Sequence, residues 1–229
     1  MPNILVVAAH PDDEVLGCGG TIAKHADAGD AVSVVILAEG LTSRAAVRDR
    51  EAFSPGLSDL AASAERANRI LGVSSLKLHD FPDNRLDSVN LLDVVKVVES
   101  AIESCRPSIL YTHHSGDVNI DHRRIHEAVV AACRATPGQP VRNLLYFEVA
   151  SSTEWQTPGS APAFTPHVFV NIESTLERKL AALDSYGSEL RQFPHPRSLA
   201  AVEALARWRG ASSGFAAAEA FVLGRSLIE

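Results

Sequence analysis

Two short stretches concentrate the side chains that could do chemistry. The first, Ala9-His10-Pro11-Asp12-Asp13-Glu14, follows the apolar run at residues 4–8 and precedes Gly17, Gly19 and Gly20. One imidazole and three carboxylates at the end of a β-branched run are costly to gather unless a cation sits among them. The second stretch runs from His113 to His122 and carries His114, Asp117, Asn119 and Asp121 between them. A hydrolytic zinc site takes three ligands from His, Asp or Glu and keeps one position open for water. His10 and Asp13 in one turn, with His122 in the other, make such a set. The metal would bring water to nucleophilic form near neutral pH. A free carboxylate must then act as general base and return the proton to a leaving amine. Asp12, next to Asp13, suits that role, and Glu14 reads as support for the helix start.

Each stretch alone has a plainer reading. Pro-Asp-Asp-Glu is a sound helix start, because proline fits the first turn and carboxylates complement the dipole. Ile120-Asp121-His122 can be a cap followed by a surface histidine. His126 lies four residues beyond His122, so both could face one metal, with His122 ranked first. One of His113 and His114 is expected to back a ligand or touch substrate, with a surface role as the alternative. The glycines lack G-x-G-x-x-G spacing and an acidic turn repels pyrophosphate, which argues against a dinucleotide cofactor.

The elements that must carry these stretches alternate. Strands are expected at 3–9, 31–38, 75–79, 108–112, 144–149 and 167–172, with a first helix that carries Ile22, Ala23 and Ala26 and is ended by Gly29-Asp30, and further helices at 58–71, 90–105, 122–135, 174–192 and 198–209. Residues 40–57 read as a polar, mobile loop, and 220–227 is ambiguous between helix and strand. The alternation predicts an α/β fold, a Rossmann-like and mostly parallel sheet with helices on both faces. In that topology the first and fourth strands are neighbours where the winding reverses, and ligands bind beyond their carboxyl ends. Both acidic histidine stretches follow those two strands, which weighs against reading them as unrelated caps.

Composition bounds the rest. The 229 residues suit one domain, 1–229, with 150–229 as its C-terminal extension. A net charge of −7 argues against nucleic acid or an anionic membrane as partner. Cys18, Cys105 and Cys133 are scattered and odd in number, as expected for reduced thiols in a cytoplasmic protein. The N-terminal apolar run is too short for a signal segment or a membrane span.

At Ala9–Glu14 and Asp121-His122 the sequence resembles the PIG-L/LmbE-like family of zinc-dependent N-acetylglucosamine deacetylases, over residues 3–150 at least. The resemblance implies zinc on His10, Asp13 and His122, with Asp12 as base and Fe2+ as the alternative metal. It also implies removal of acetyl from an N-acetylglucosamine-like sugar or its conjugate, and a homo-oligomer. Many members carry a histidine three residues before the last ligand, where it steadies the oxyanion; here that position is Asn119. An asparagine amide can donate to an oxyanion, or His195 in Phe-Pro-His-Pro-Arg could reach the site in cis or in trans. The plainer reading of His195 is a rigid loop residue. Arg44, Asp83, Asn84, Arg85 and Trp155 are the candidates for sugar binding, each with loop capping or surface charge as its alternative. The rivals are an amidase for a non-sugar acyl amine and a metal- or sugar-binding module without turnover.

Overall fold

In the computed structural model, which describes residues 2–228, nine elements alternate through the first two thirds of the chain. They are β1 (Asn3–Ala8), α1 (Asp13–Asp27), β2 (Ala31–Ala38), α2 (Ser54–Leu71), β3 (Ser75–Phe81), α3 (Leu91–Cys105), β4 (Ile109–His113), α4 (Ile120–Ala132) and β5 (Asn143–Phe147). Then come β6 (Val168–Asn171), α5 (Leu176–Asp184), α6 (Leu199–Ala211) and β7 (Ala218–Ser226). The strands form one sheet in the order β3-β2-β1-β4-β5-β7-β6. Pairing is parallel from β3 to β5, and β7 runs antiparallel to both β5 and β6.

The β1 run is apolar throughout because both of its faces are covered. Ile4, Val6 and Ala8 join a core with Val15, Leu60, Leu183 and Val202, from α1, α2, α5 and α6. Leu5, Val7 and Ala9 join the opposite core with Val95 and Ile125, from α3 and α4. Helices therefore lie on both faces, and β1 pairs with β4 as expected, with Ile4 opposite Ile109.

Four local expectations change. The ambiguous segment is a strand, β7, which fills the gap between β5 and β6. Helix α2 starts at Ser54, with Pro55 in its first turn, where a missing N–H costs nothing. The expected helix 174–192 stops at Asp184. Ser185, Gly187 and Ser188 favour turns, and Tyr186 turns inward to hydrogen-bond Glu14. Residues 40–53 are tied down rather than loose: Arg48 and Arg50 pair with Glu39, and Arg44 holds Glu189 through two bonds of 2.7 and 2.9 Å.

Helix α1 breaks at Cys18, whose φ of −150° is not helical. The freed N–H groups of Gly20 and Thr21 donate to the buried Glu219 carboxylate of β7, at 2.9 and 2.7 Å. Lys179 of α5 neutralises that carboxylate at 2.5 Å. The C-terminal region thus repairs a break directly behind the first chemical turn. Among the described residues, no helix is long and apolar enough to cross a membrane.

Candidate metal centre

The first chemical turn closes at the carboxyl end of β1. The Asp13 N–H donates to the His10 carbonyl at 3.2 Å, and the His10 N–H donates to Asp13 Oδ2 at 2.8 Å. Asp12 takes φ of +118°, which a non-glycine residue adopts only where its surroundings enforce it. Glu14 does the enforcing: its Oε2 accepts the Asp12 N–H at 3.1 Å. Glu14 Oε1 accepts Tyr186 Oη at 2.6 Å and Asn68 Nδ2 at 2.9 Å. Burial outweighs these donors and lifts the Glu14 carboxyl to about 7.

His10, Asp13 and His122 converge. Asp13 Oδ2 lies 3.3 Å from His10 Nδ1 and 3.2 Å from His122 Nε2. Ligands held about 2.0–2.1 Å from a tetrahedral zinc ion stand about 3.3 Å apart, so these separations fit one ion. His122 Nε2, which would face it, is buried and forms no hydrogen bond, and neither does the buried second oxygen of Asp13, Oδ1. Buried polar atoms rarely stay unpaired. The outward nitrogens are held by carboxylates: His10 Nε2 lies 3.0 Å from Asp121 Oδ2 and 3.3 Å from Asp83 Oδ1, and His122 Nδ1 lies 3.1 Å from Asp117 Oδ2. Carboxylates behind imidazoles fix ring and tautomer in metal sites. The donor set therefore fits a divalent metal.

The charges agree. Burial opposes ionisation of His122, but Asp13 and Asp117 together outweigh it and raise the ring to about 9. Burial opposes ionisation of Asp13 too, yet His122 and His10 hold it well below the usual carboxylate range. Asp12 behaves differently, because burial lifts its carboxyl well above the ordinary value despite Arg197. Two adjacent carboxylates are thus driven apart, one firmly anionic and one ready to take a proton, the division expected of a ligand and a base.

The other candidates have defined places. Asn119 caps α4, its Oδ1 accepting the Asp121 N–H at 2.8 Å and its Nδ2 donating to Asn84 Oδ1 at 2.9 Å. His195 accepts the Arg197 N–H on Nδ1 at 3.1 Å and stands edge-on to Trp155, 5.8 Å between ring centres. Asp83 is buried beside His10, and its Oδ2 accepts the Ser43 N–H at 3.0 Å. The Asn84 N–H donates to Asp121 at 2.7 Å. Arg85 Nη2 donates to the Ala45 and Ala46 carbonyls and Arg44 Nη2 to Glu189, so each arginine anchors the loop through one of its nitrogens. Trp155 remains 53% exposed and free to stack. His126 stands apart from the cluster, with Nδ1 on the His113 carbonyl at 3.0 Å and its ring against Tyr146. His114 binds the Pro162 carbonyl at 3.0 Å. His113 backs the turn: its Nε2 accepts the Ala9 N–H at 2.8 Å, and its ring stacks on His122 with 4.0 Å between centres.

Sequence reasoning gave no role to Asp117 or Arg197. Asp117 is fully buried and accepts Thr153 Oγ1 at 2.7 Å, the Asn119 N–H at 2.8 Å, and Ser152 Oγ. Its position three residues from His114 and five from His122 was the one available signal. Arg197 reaches Asp12 across 185 residues of chain, a contact without any sequence signature.

Three comparisons bear on kinship. The uncharacterized deacetylase YaiS of Escherichia coli K12 is 30% identical over 81% of this chain and 91% of its own length. A probable N-acetyl-α-D-glucosaminyl L-malate deacetylase of Bacillus anthracis is 26% identical over 82% of this chain and 81% of its own. In structure, the 4-carboxy-2-hydroxymuconate hydratase GalB of Pseudomonas putida KT2440 superposes with a TM-score of 0.78, covering 100% of this chain and 98% of that one at 22% identity. That last likeness is one of fold alone. The family signature described as GlcNAc-PI de-N-acetylase matches residues 5–133, a span that includes both chemical turns. By this match, and by its likeness to YaiS, the chain belongs to the PIG-L family.

Proposed function

We propose that the chain is a metal-dependent N-deacetylase that hydrolyses the acetamide of an N-acetylglucosamine-type sugar or conjugate. The observation that carries this reading is the convergence of His10, Asp13 and His122, with two of their buried polar atoms unpaired. The substrate class rests on the family description and on the name of the Bacillus relative. The fold alone does not select it, since a hydratase shares the architecture. His10, Asp13 and His122 would hold zinc, and the same nitrogen and oxygen donors suit Fe2+. When bound, such a metal supplies Lewis acidity, which makes water nucleophilic near neutral pH and polarises a carbonyl.

The chain's own groups do the rest. Asp12 takes a proton as water attacks the acetyl carbon and gives it to the nitrogen as the C–N bond breaks, leaving acetate and a free amine. Asn119 Nδ2 can donate to the developing oxyanion if the substrate displaces Asn84 Oδ1 from it; His195 is the other donor for that role. Asp83 and Asn84, beside His10 and Asp121, offer acceptors and donors for sugar hydroxyls, and Trp155 a face for stacking. Arg44 and Arg85 would act through the loop they anchor.

An acetate-release screen tests the reading. Purified protein of measured zinc and iron content is given N-acetylglucosaminyl malate, N,N′-diacetylchitobiose and simple N-acetyl amines. Release from the sugars should be abolished by a chelator, restored by zinc, and lowered about 10²–10⁴-fold by Asp12→Ala. Release from non-sugar amines alone would make the chain a different amidase. Metal binding without release from any substrate would make it a binding module. His195→Ala at unchanged turnover would remove His195 from the oxyanion role.

A further inference from the structure

We propose that Arg197 is a positioning residue for the deacetylation chemistry, fixing which oxygen of Asp12 faces the metal centre. The inference rests on the deacetylase reading above and extends it to a segment beyond the residues that match the family signature. Arg197 precedes Ser198, the cap of α6, and its side chain spans two turns at the carboxyl edge of the sheet. Its Nη1 lies 3.3 Å from Asp12 Oδ2, and its Nε donates to Ser151 Oγ at 2.6 Å.

Both partners sit in strained backbone. The described non-glycine residues with positive φ are Asp12, Asn84, Arg106 and Ser151. Arg197 therefore bonds two of the four, Asp12 at +118° and Ser151 at +67°. Such conformations persist where surrounding structure over-determines them, and they cluster at functional sites. Ser151 is itself held, because the N–H groups of Ser151 and Ser152 donate to Glu154 at 2.6 and 3.2 Å. The chain Glu154–Ser151–Arg197–Asp12 is a brace from the β5 loop to the base.

The brace has a chemical use. A carboxylate has two oxygens, and a base that must take a proton from water and give it to nitrogen works best when one oxygen is committed elsewhere. Arg197 occupies Oδ2, while Glu14 holds the Asp12 backbone N–H. The hydrogen bonds that close the Asp13 turn run between His10 and Asp13 and do not engage the Asp12 carboxylate. A planar guanidinium suits the task better than an ammonium, because one group engages the Ser151 hydroxyl and the Asp12 carboxylate at fixed angles.

The experiment compares wild type with Arg197→Ala, Arg197→Lys and Ser151→Ala on whichever N-acetylglucosamine substrate the wild type hydrolyses. Arg197→Ala should lower kcat about 10- to 100-fold, with KM and zinc affinity within about twofold of wild type. Guanidinium ion at tens of millimolar should restore part of the rate, and Arg197→Lys should recover less than arginine provides. Ser151→Ala, which keeps the cation and loses its anchor, should lower kcat several-fold and add little to Arg197→Ala. An Arg197→Ala enzyme with wild-type kcat overturns the inference. So does a loss that follows zinc content or unfolding and is not restored by guanidinium. Should Arg197→Ala fail to fold, Ser151→Ala at wild-type kcat overturns it as well. If the wild type releases no acetate from any sugar, the deacetylase reading fails and takes this inference with it; an active wild type with an indifferent Arg197 defeats the inference alone.

Discussion

Replacing Asp117 by asparagine probes the candidate metal centre from behind. Asp117 Oδ2 holds His122 Nδ1 at 3.1 Å and Thr153 Oγ1 at 2.7 Å, while Oδ1 accepts Ser152 Oγ and the Asn119 N–H. An amide can replace only one of these oxygens with NH2. If NH2 faces His122, Nδ1 must become an acceptor, and the ring proton moves to Nε2, the unpaired atom that faces Asp13. The lone pair a metal needs is then lost. If NH2 faces the other way it opposes the Asn119 N–H, donor against donor, at the first turn of α4. Neither orientation keeps every bond. Loss of the carboxylate behind a ligating imidazole costs about 10–100-fold in metal affinity, which is about 1.4–2.7 kcal/mol. Competition with a chromophoric chelator measures it directly, at a pH where wild type and variant show the same circular dichroism. Zinc affinity within twofold of wild type in a folded Asp117→Asn protein would refute the assignment of His122 as a ligand oriented by Asp117.

Other expectations follow from the same geometry. His122 is raised to about 9 without metal, so zinc uptake near pH 7.5 should release at least one proton, and apparent affinity should climb as pH rises toward 9. Calorimetry in buffers of different ionisation enthalpy counts that proton, and a count of zero would contradict ligation by His122. The chelated protein should show the opposite trend in stability. A histidine raised above its unfolded value of 6.5 stabilises fully below 6.5, and that contribution disappears as pH passes about 9, which urea melts can follow. Glu14 is an acid raised from 4.5 to about 7, so its contribution is present below 4.5 and lost as pH rises through 7. Tyr186→Phe removes its 2.6 Å donor and should cost about 1.5–3 kcal/mol when Glu14 is ionised. The cost should be larger at pH 8 than at pH 5, and equal losses at both would argue against the buried carboxylate as its origin. Gly17→Ala should destabilise by about 1–3 kcal/mol or more in thermal melts, because the new Cβ would lie 2.3 Å from the Phe147 ring.

The sheet and the candidate ligand set follow from local pattern. The unbroken apolar run of β1 demands cover on two faces, which makes it a central parallel strand, and the βαβ alternation places β4 beside it. Once those strands are neighbours, His10 and Asp13 must meet His122, because ligand spacing inside each turn is a matter of adjacent residues. Asn90 and Asn119 cap α3 and α4, a local role that was expected instead within Ile120-Asp121-His122, one residue further on.

What the tertiary structure alone decided lies across long sequence separation. No periodicity announces that Arg197 will reach Asp12, that Tyr186 will turn inward to Glu14, or that Glu219 will cap the break in α1 at Cys18. Each is a single polar contact between segments that share no pattern, fixed by how the C-terminal helices pack on the sheet. The expected sugar-binding arginines illustrate the converse. Arg44 and Arg85 have the right chemistry for an anion or a hydroxyl, and the fold commits one nitrogen of each to Glu189 and to the carbonyls of the loop they pin. Residue type sets what a side chain can do; burial and the nearest partner decide which of those things it does.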